Sequence, residues 1–328
     1  MSFAQHVTVT SLDILLDALM DFAEDYCGFT RLADITGTGR QSDMYVLQKG
    51  SMYWWFLGNS LSDAEYGTYG IIESRMMTTA PTLGNRETLD LGQRKLTQTF
   101  LYDKPNGSYT NAFFYGDSST EAVHCVIEVS PNVFAHLSFG SITKSGTWTG
   151  GEYLSGSDIV IASGYSASSG FTWSDSTNRL VFGGSGTADT NTGYLYYPYE
   201  SQGDQRDWSA MHVSTSALTD GRRTRPMACV TQTSSPIGPL MSASPSAHND
   251  RSLLIPAYLW VYDNRTGGSL RNIAVGVIPN AALINMTNIS PKAIVYNDWD
   301  VYPQFQKSGD AFDAPISGFA GVAYKRIV

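Results

Sequence analysis

The residues best suited to chemistry in this chain are its histidines, cysteines and paired carboxylates, and their spacing is unhelpful to catalysis. The five histidines, His6, His124, His136, His212 and His248, show neither HxH nor HExxH spacing. The ligand geometry of a zinc site is therefore missing. His124 and His136 flank Pro131-Asn132, a tight-turn dipeptide, so they fall on paired strands of one hairpin. With Glu121 or Glu128 they form the strongest candidate for a weak ligand set. The plainer reading is two strand histidines in ordinary hydrogen bonds. His124 and Cys125 alternate in a strand, so they point to opposite faces and do not make a Cys–His pair. No GxSxG elbow occurs, and Gly183-Gly184-Ser185-Gly186 lacks the lysine and helix of a phosphate loop. Glycoside hydrolysis needs two carboxyl groups about 5–10 Å apart. Glu152 with Asp158, or Asp298 with Asp300, are possible pairs, but Asn297-Asp298 as a hairpin turn explains the latter without chemistry. We expect no catalytic residue, no cofactor and no metal.

The elements that would position these residues centre on the stretch from Tyr109 to Ser157. Two alternating apolar runs, Ala122 to Ser130 and Val133 to Ile142, make a hairpin. The second leads into Gly146-Thr147-Trp148-Thr149-Gly150-Gly151, an aromatic among residues with little side chain. Before it, Ser11 to Tyr26 predicts an amphipathic helix. Thr10 or Ser11 caps it, Asp13 sits in its first turn, Leu12, Leu15, Leu16, Leu19, Phe22, Ala23 and Tyr26 share a face, and Gly28 stops it. Asp17, Asp21, Glu24 and Asp25 form a solvated face. Strands follow at 44–47 and 52–57, joined by Lys49-Gly50-Ser51. The second is apolar on both faces, so either both are covered or one carries Trp54 or Trp55 into an interface. The segment from Gly58 to Leu91 has no clean period and reads as a long surface excursion. Further strands are expected at 95–102, 111–115, 158–162, 170–174, 179–182 and 193–199. The segment from Pro226 to Asp250 reads as extended and irregular. Strands resume at 253–262, 272–278, 292–296, 299–304 and 318–327.

Only 16% of the residues are charged, and the formal net charge is −9. An acidic surface lacks the clustered Lys and Arg that hold phosphates, and the one basic cluster, Arg222, Arg223 and Arg225, is too short to offset it. No nucleic-acid partner is expected. No run approaches the ~20 apolar residues of a membrane span, and the start of the chain lacks the pattern of a secretory leader. We therefore expect a protein made in the cytoplasm, with no membrane partner. Cys27, Cys125 and Cys229 are few and scattered. They read as buried small hydrophobes, with a disulfide between subunits as the alternative.

These patterns predict an α+β fold: a mixed platform of the N-terminal helix and antiparallel strands over residues 1–150, a central β-rich insertion or second domain over 151–250, and C-terminal strands over 251–328 that complete the platform. Low charge, aromatic-rich strands and long loops suit a chain that buries surface against copies of itself.

Three segments carry a resemblance. SLDILLDALMDFAEDYCGFT with GTGRQSDMYVLQKGSMYWWFLG, then AFFYGDSSTEAVHCVIEVSPNVFAHLSFGSITKSGTWTGGEYLSGS, then DWDVYPQFQKSGDAFDAPISGFAGVAYKRIV together resemble structural proteins of tailed bacteriophages, of the kind found in tails and necks. In the middle segment Trp148, Gly150, Gly151, Tyr153, Gly156 and Ser157 carry the likeness. In the last segment Trp299, Pro303, Gly321, Ala323, Tyr324 and Lys325 do so. The resemblance implies a tail-terminator-like platform, a place in the virion, and a non-enzymatic role. It also implies a homo-oligomeric ring, six-fold or a multiple, in the neck, collar, tail sheath or baseplate, with other tail or neck proteins as neighbours. Trp54, Trp55, Trp148, Gly150, Gly151, Tyr153, Trp299 and Tyr324 are the expected interaction residues. The alternative is a baseplate or fibre module that binds a host-surface glycan through Trp148, Trp173 and the tyrosines of 194–199. A wall-degrading hydrolase is the third reading and would need a carboxylate pair.

Overall fold

In a computed structural model of the chain the described residues are 2–9, 11–35, 41–63, 67–80, 95–101, 111–119, 121–130, 132–159, 178–179, 181–182, 193–196, 208–211, 222–226, 249, 251–263, 271–303 and 320–326. Strand β1 (Ser2–Val7) precedes helix α1 (Leu12–Cys27). Ser11 caps the helix by accepting the Ile14 backbone N–H at 3.2 Å, and Asp13 lies in the first turn. Gly28 ends it in the left-handed region at φ 71°, and the Phe29 N–H returns to the Ala23 carbonyl at 3.1 Å. Only a residue without Cβ enters that conformation freely. The predicted helix thus forms with its bounds shifted by one residue. On its outer side Arg31 spans Asp17 at 2.7 Å and Asp21 at 3.1 Å.

A five-stranded antiparallel sheet follows, built in chain order from β2 (Thr30–Ile35), β3 (Gln41–Lys49), β4 (Met52–Asp63), β5 (Gly67–Met77) and β6 (Lys95–Leu101). Residues 58–63 and 67–77 of the expected surface excursion are here strands of a long hairpin, and residues 81–91 lie outside the described residues. Asp63 pairs with Gly67, and the register runs unbroken back to Tyr53 opposite Met77. Its Gly, Ser and Thr residues blur the period, while the ladder itself needs only backbone groups.

The larger sheet has fourteen strands. After β1 it takes β7 (Asn111–Asp117), β8 (Ala122–Ser130), β9 (Val133–Ser141) and, past a short β10 (Thr143–Lys144), β11 (Glu152–Gly156). Among the described residues, strands β12 (Asp158–Ile159) and β13 (Asn178–Arg179) pair only with each other. The large sheet continues through β14 (Gly193–Tyr196), β15 (Trp208–Met211), β16 (Arg222–Pro226), β17 (Ile255–Asp263) and β18 (Arg271–Asn285). It then takes β21 (Ala320–Lys325), β20 (Trp299–Pro303) and β19 (Ala293–Val295), while β10 attaches to β18. Among the described residues every pairing is antiparallel except β15 with β16. Of the described strands in residues 151–250, β11, β14, β15 and β16 join β9 to β17 within this one sheet.

Alternate residues of β7–β9 enter two different cores. Ala112, Phe114, Val123, Cys125, Ile127, Ala135, Leu137 and Phe139 pack with α1 and with Leu47, Trp54, Phe56 and Ile72 of the smaller sheet. Tyr115, Val126 and Phe134 face the other way, against Leu259, Val275, Leu283, Tyr302, Val322 and Tyr324. The large sheet therefore folds over, and β17, β18, β20 and β21 cover the second face of β7–β9. Each large apolar side chain so buried contributes about 1.5–3 kcal/mol.

This architecture corrects the α+β expectation. Among the described residues there is one helix, and the body is antiparallel β. The helix does not form a layer of a platform; it touches both sheets and fills part of the core between them. Its local signals, cap and 3.6-residue period, are strong in sequence. Strand β1 is instead set by its remote partner β7 and carries little local signal.

Candidate functional site

His124, Glu128, His136 and Ser138 of β8 and β9 lie buried on one face, which the C-terminal strands cover. His124 and His136 have no solvent exposure. His136 Nε2 donates to the Pro303 carbonyl at the end of β20 at 2.9 Å, and its Nδ1 lies 3.0 Å from the Tyr324 hydroxyl on β21. His124 Nε2 donates to the Pro279 carbonyl of β18 at 2.8 Å, and its Nδ1 lies 2.7 Å from Ser138 Oγ. A carbonyl only accepts, so each ring carries its hydrogen on Nε2 and accepts at Nδ1. Tyr324 therefore donates to His136. Ser138 donates to His124 and in turn accepts from the Tyr153 hydroxyl at 2.8 Å. Burial lowers both imidazoles to about 4, outweighing the opposite pull of the carbonyl bonds.

Next to the histidines, Tyr115 on β7 donates to Asp300 Oδ2 at 2.9 Å and meets the Tyr302 hydroxyl. Arg326 Nε reaches the same Asp300 oxygen at 3.0 Å. Burial raises Tyr115, Tyr153, Tyr302 and Tyr324 above the ordinary phenol range. These phenols stay protonated at neutral pH, and the imidazoles stay neutral with both nitrogens engaged. The geometry cross-links two layers and offers no free base or nucleophile within the network.

A second polar cluster closes one end of this face. Glu128 accepts from Lys292 Nζ at 2.9 Å, Asn111 Nδ2 at 2.7 Å and the Asn132 N–H at 3.4 Å. Asn111 Oδ1 lies 2.6 Å from His6 Nε2 on β1. Burial acts to raise Glu128, but the three hydrogen bonds and the Lys292 charge together outweigh it and hold the carboxyl below 4.5. The stability it contributes is therefore present above pH 4.5 and is lost as pH falls through its lower folded value. Glu128→Gln is expected to cost about 1–3 kcal/mol at neutral pH. It should also flatten the stability curve below about pH 4.5, as read by urea unfolding at several pH values.

No protein-family model matches the chain, and no curated protein matches it.

The residues expected to form an interaction surface are mostly interior. Trp54 has no exposure, and its Nε1–H donates to the Tyr153 carbonyl at 3.2 Å. Trp55 lies on the opposite face of β4 beside Met44, Val46, Leu57 and Met77, with the Arg75 guanidinium 4.6 Å from its ring. Both faces of β4 are thus covered. Tyr153 and Tyr324 are fully buried. Trp148 is half-buried against the second core, and Lys144 lies over its ring while donating to the Trp148 and Gly150 carbonyls. Gly151 bonds Ile142 and Tyr196 through its backbone, and Trp299 is half-buried beside Val301 and Met286. Trp54 and Tyr153 meet, as do Trp148, Gly150 and Gly151; Trp55 and Trp299 lie apart from both.

Tyr194 and Tyr196 are half-buried on the first core. Trp173, residues 197–199, His212, Cys229, His248 and the predicted strand at 170–174 lie outside the described residues. Cys27 and Cys125 are buried free thiols, and burial pushes Cys27 up to about 12. His124 and His136 lie on one face, two register positions apart, with Cys125 on the other. Glu121 instead pairs with Lys49 at 3.6 Å. Among the described residues no group of three or more His, Cys, Asp or Glu is arranged to hold a metal.

Sequence reasoning missed the Tyr115–Asp300–Tyr302–Arg326 cluster. Its one local sign was a carboxylate inside the aromatic alternation Trp299-Asp300-Val301-Tyr302. It also missed the exposed apolar residues at the β19 end of the large sheet. Ile294 is 50% and Tyr296 49% exposed, and Leu253, beside the Ser252 carbonyl that the Tyr296 hydroxyl binds, is 50% exposed.

Proposed function

We propose that this chain is a non-enzymatic building block of a tailed-bacteriophage particle, assembling with copies of itself into a ring in the neck, collar or tail. The three resembling segments supply the family reading. The observation that supports self-assembly is the unlike character of the two ends of the large sheet. It begins with β1 and finishes with β19, and among the described residues each has one partner strand. The β19 end presents Ile294 and Tyr296 to solvent. Edges of this kind favour pairing with another chain unless they are protected. One end docked on a different patch of the next copy is a heterologous contact, which closes into a ring when its rotation closes. The net charge of −9 fits protein neighbours better than nucleic acid. No described helix is long and apolar enough to cross a membrane.

The test is the native mass of the purified protein, together with a search for the chain in purified particles. We expect a discrete oligomer above the monomer mass. Replacing Ile294 and Tyr296 by aspartate should raise the concentration for half-assembly about thirtyfold or more, since losing a central interface side chain costs about 2 kcal/mol or more. A wild-type protein that stays monomeric and is absent from particles ends this reading.

A further inference from the structure

We propose that His124 and His136 form an acid-sensitive latch, which holds the C-terminal strand layer (β18, β20 and β21) onto β8–β9 at neutral pH and releases it on protonation. The inference is independent of the ring. It starts from where the two rings sit. Both project from one face of the β8–β9 hairpin, and both reach across to a prolyl carbonyl of the opposing layer. Pro279 lies where the pairing of β18 with β17 breaks. The partners jump from Tyr258 opposite Val277 to Pro256 opposite Ala282, and Asn280 takes φ 56°. Pro303 closes β20. The Tyr324 ring stands close to both imidazoles, at 5.0 Å from His124 and 5.9 Å from His136.

The surroundings offer little to a second proton. A protonated ring would have to donate at Nδ1, where it now accepts from a hydroxyl. For His136 that hydroxyl is Tyr324 on β21, and for His124 it is Ser138 on β9, already bonded to Tyr153 on β11. Phe182 meets His124 edge-on. The nearby charged and titratable groups of the packed strands are already engaged. Asp300 of β20 is held by Arg326 and by Tyr115 of β7, and Tyr302 bonds Tyr115. Glu128 of β8 is held by Lys292 and Asn111, and Cys125 points into the other core. Among the described residues no carboxylate is left to balance an imidazolium here. A buried unpaired charge is strongly unfavourable.

The sign follows from the lowered values. Each histidine takes up its proton at about 4 in the fold and near 6.5 when released. The stability that depends on the neutral rings is present above pH 6.5 and is lost as pH falls from 6.5 towards 4. At pH 4 each histidine should shift the closed-to-open equilibrium about a hundredfold.

The test uses the full chain and the variant His124→Gln/His136→Gln, in which each amide N–H can still reach its carbonyl but does not titrate. Stability is measured against pH from 7 to 4 by urea unfolding. The wild type is expected to take up about two more protons on opening near pH 5 than the variant does. Hydrogen exchange, corrected for its intrinsic pH dependence, should show β18, β20 and β21 losing protection at pH 5 before α1 and β3–β5. NMR titration of the imidazole protons in the wild type provides a readout that needs no variant to fold. Equal pH slopes in the two proteins, uniform loss of protection, or native imidazoles titrating near 6.5 would each overturn the proposal.

Discussion

Replacing Trp54 by alanine is expected to cost about 3–5 kcal/mol, a large part of the net stability of a domain. The indole lies where three parts of the fold meet. Phe29, set immediately after the helix cap, packs edge-on against it at 5.3 Å, and Phe139 of β9 stands 6.3 Å away. Its N–H holds the Tyr153 carbonyl of β11, so the smaller sheet is bonded to the larger one through this ring. Removing it opens a cavity between close-packed elements that cannot all move inward together. Trp54→Phe keeps much of the volume and loses the hydrogen bond, and should cost about 1–3 kcal/mol. Urea unfolding of the two variants separates packing from hydrogen bonding. Equal, small losses would mean that the smaller sheet is held elsewhere.

Gly140→Ala should be comparably damaging, for a backbone reason. Gly140 has φ 129°, and an added Cβ would lie 2.1 Å from the Glu121 carbonyl oxygen. That oxygen accepts the Ser141 N–H at 2.9 Å and cannot move aside without breaking the bond. Strain of this type is about 1–3 kcal/mol, and forced overpacking adds about 1–3 kcal/mol. A total of about 2–6 kcal/mol is expected from denaturant unfolding. Gly50→Ala is the control. Its φ is 57°, but nothing lies within 4 Å of an added Cβ, so only the conformational part, about 1–2 kcal/mol, should appear.

The contrast between the helix and the polar network shows what the residues reveal by themselves. Ser11, Asp13, the spacing of Leu12 to Tyr26, and Gly28 are local signals, and they locate α1 to within a residue. The Pro131-Asn132 turn is equally local; Asn132 adopts φ 63° and Ser130 pairs with Val133. The face on which His124, Glu128, His136 and Ser138 lie is different. In an antiparallel strand, alternation of apolar and polar residues ordinarily means one wet face. Here that face is buried because β17, β18, β20 and β21 cover it, and nothing within Ala122 to Ser141 records the covering strands. The candidate site was legible as a pair of hydrogen-bonded strand histidines. Its partners, Pro279, Pro303 and Tyr324, were not, because each sits more than 150 positions along the chain from the ring it binds. The same distance hides the fold class. Local signals overstate the one helix and understate strands whose partners are remote.

The bond between His136 and Tyr324 joins residues 188 positions apart, and Tyr324 belongs to the last of the described strands. A ribosome delivers β8 and β9 long before that partner exists. Until β17, β18, β20 and β21 have been made, the hairpin's second face, with Tyr115, Val126 and Phe134, lacks its full cover. Contacts of such sequence separation make for slow closure and for exposed surface on the way. Completion of this fold is therefore a late event that awaits the arrival of β21. A nascent chain stopped short of it would present a sticky, half-polar sheet face to the cell.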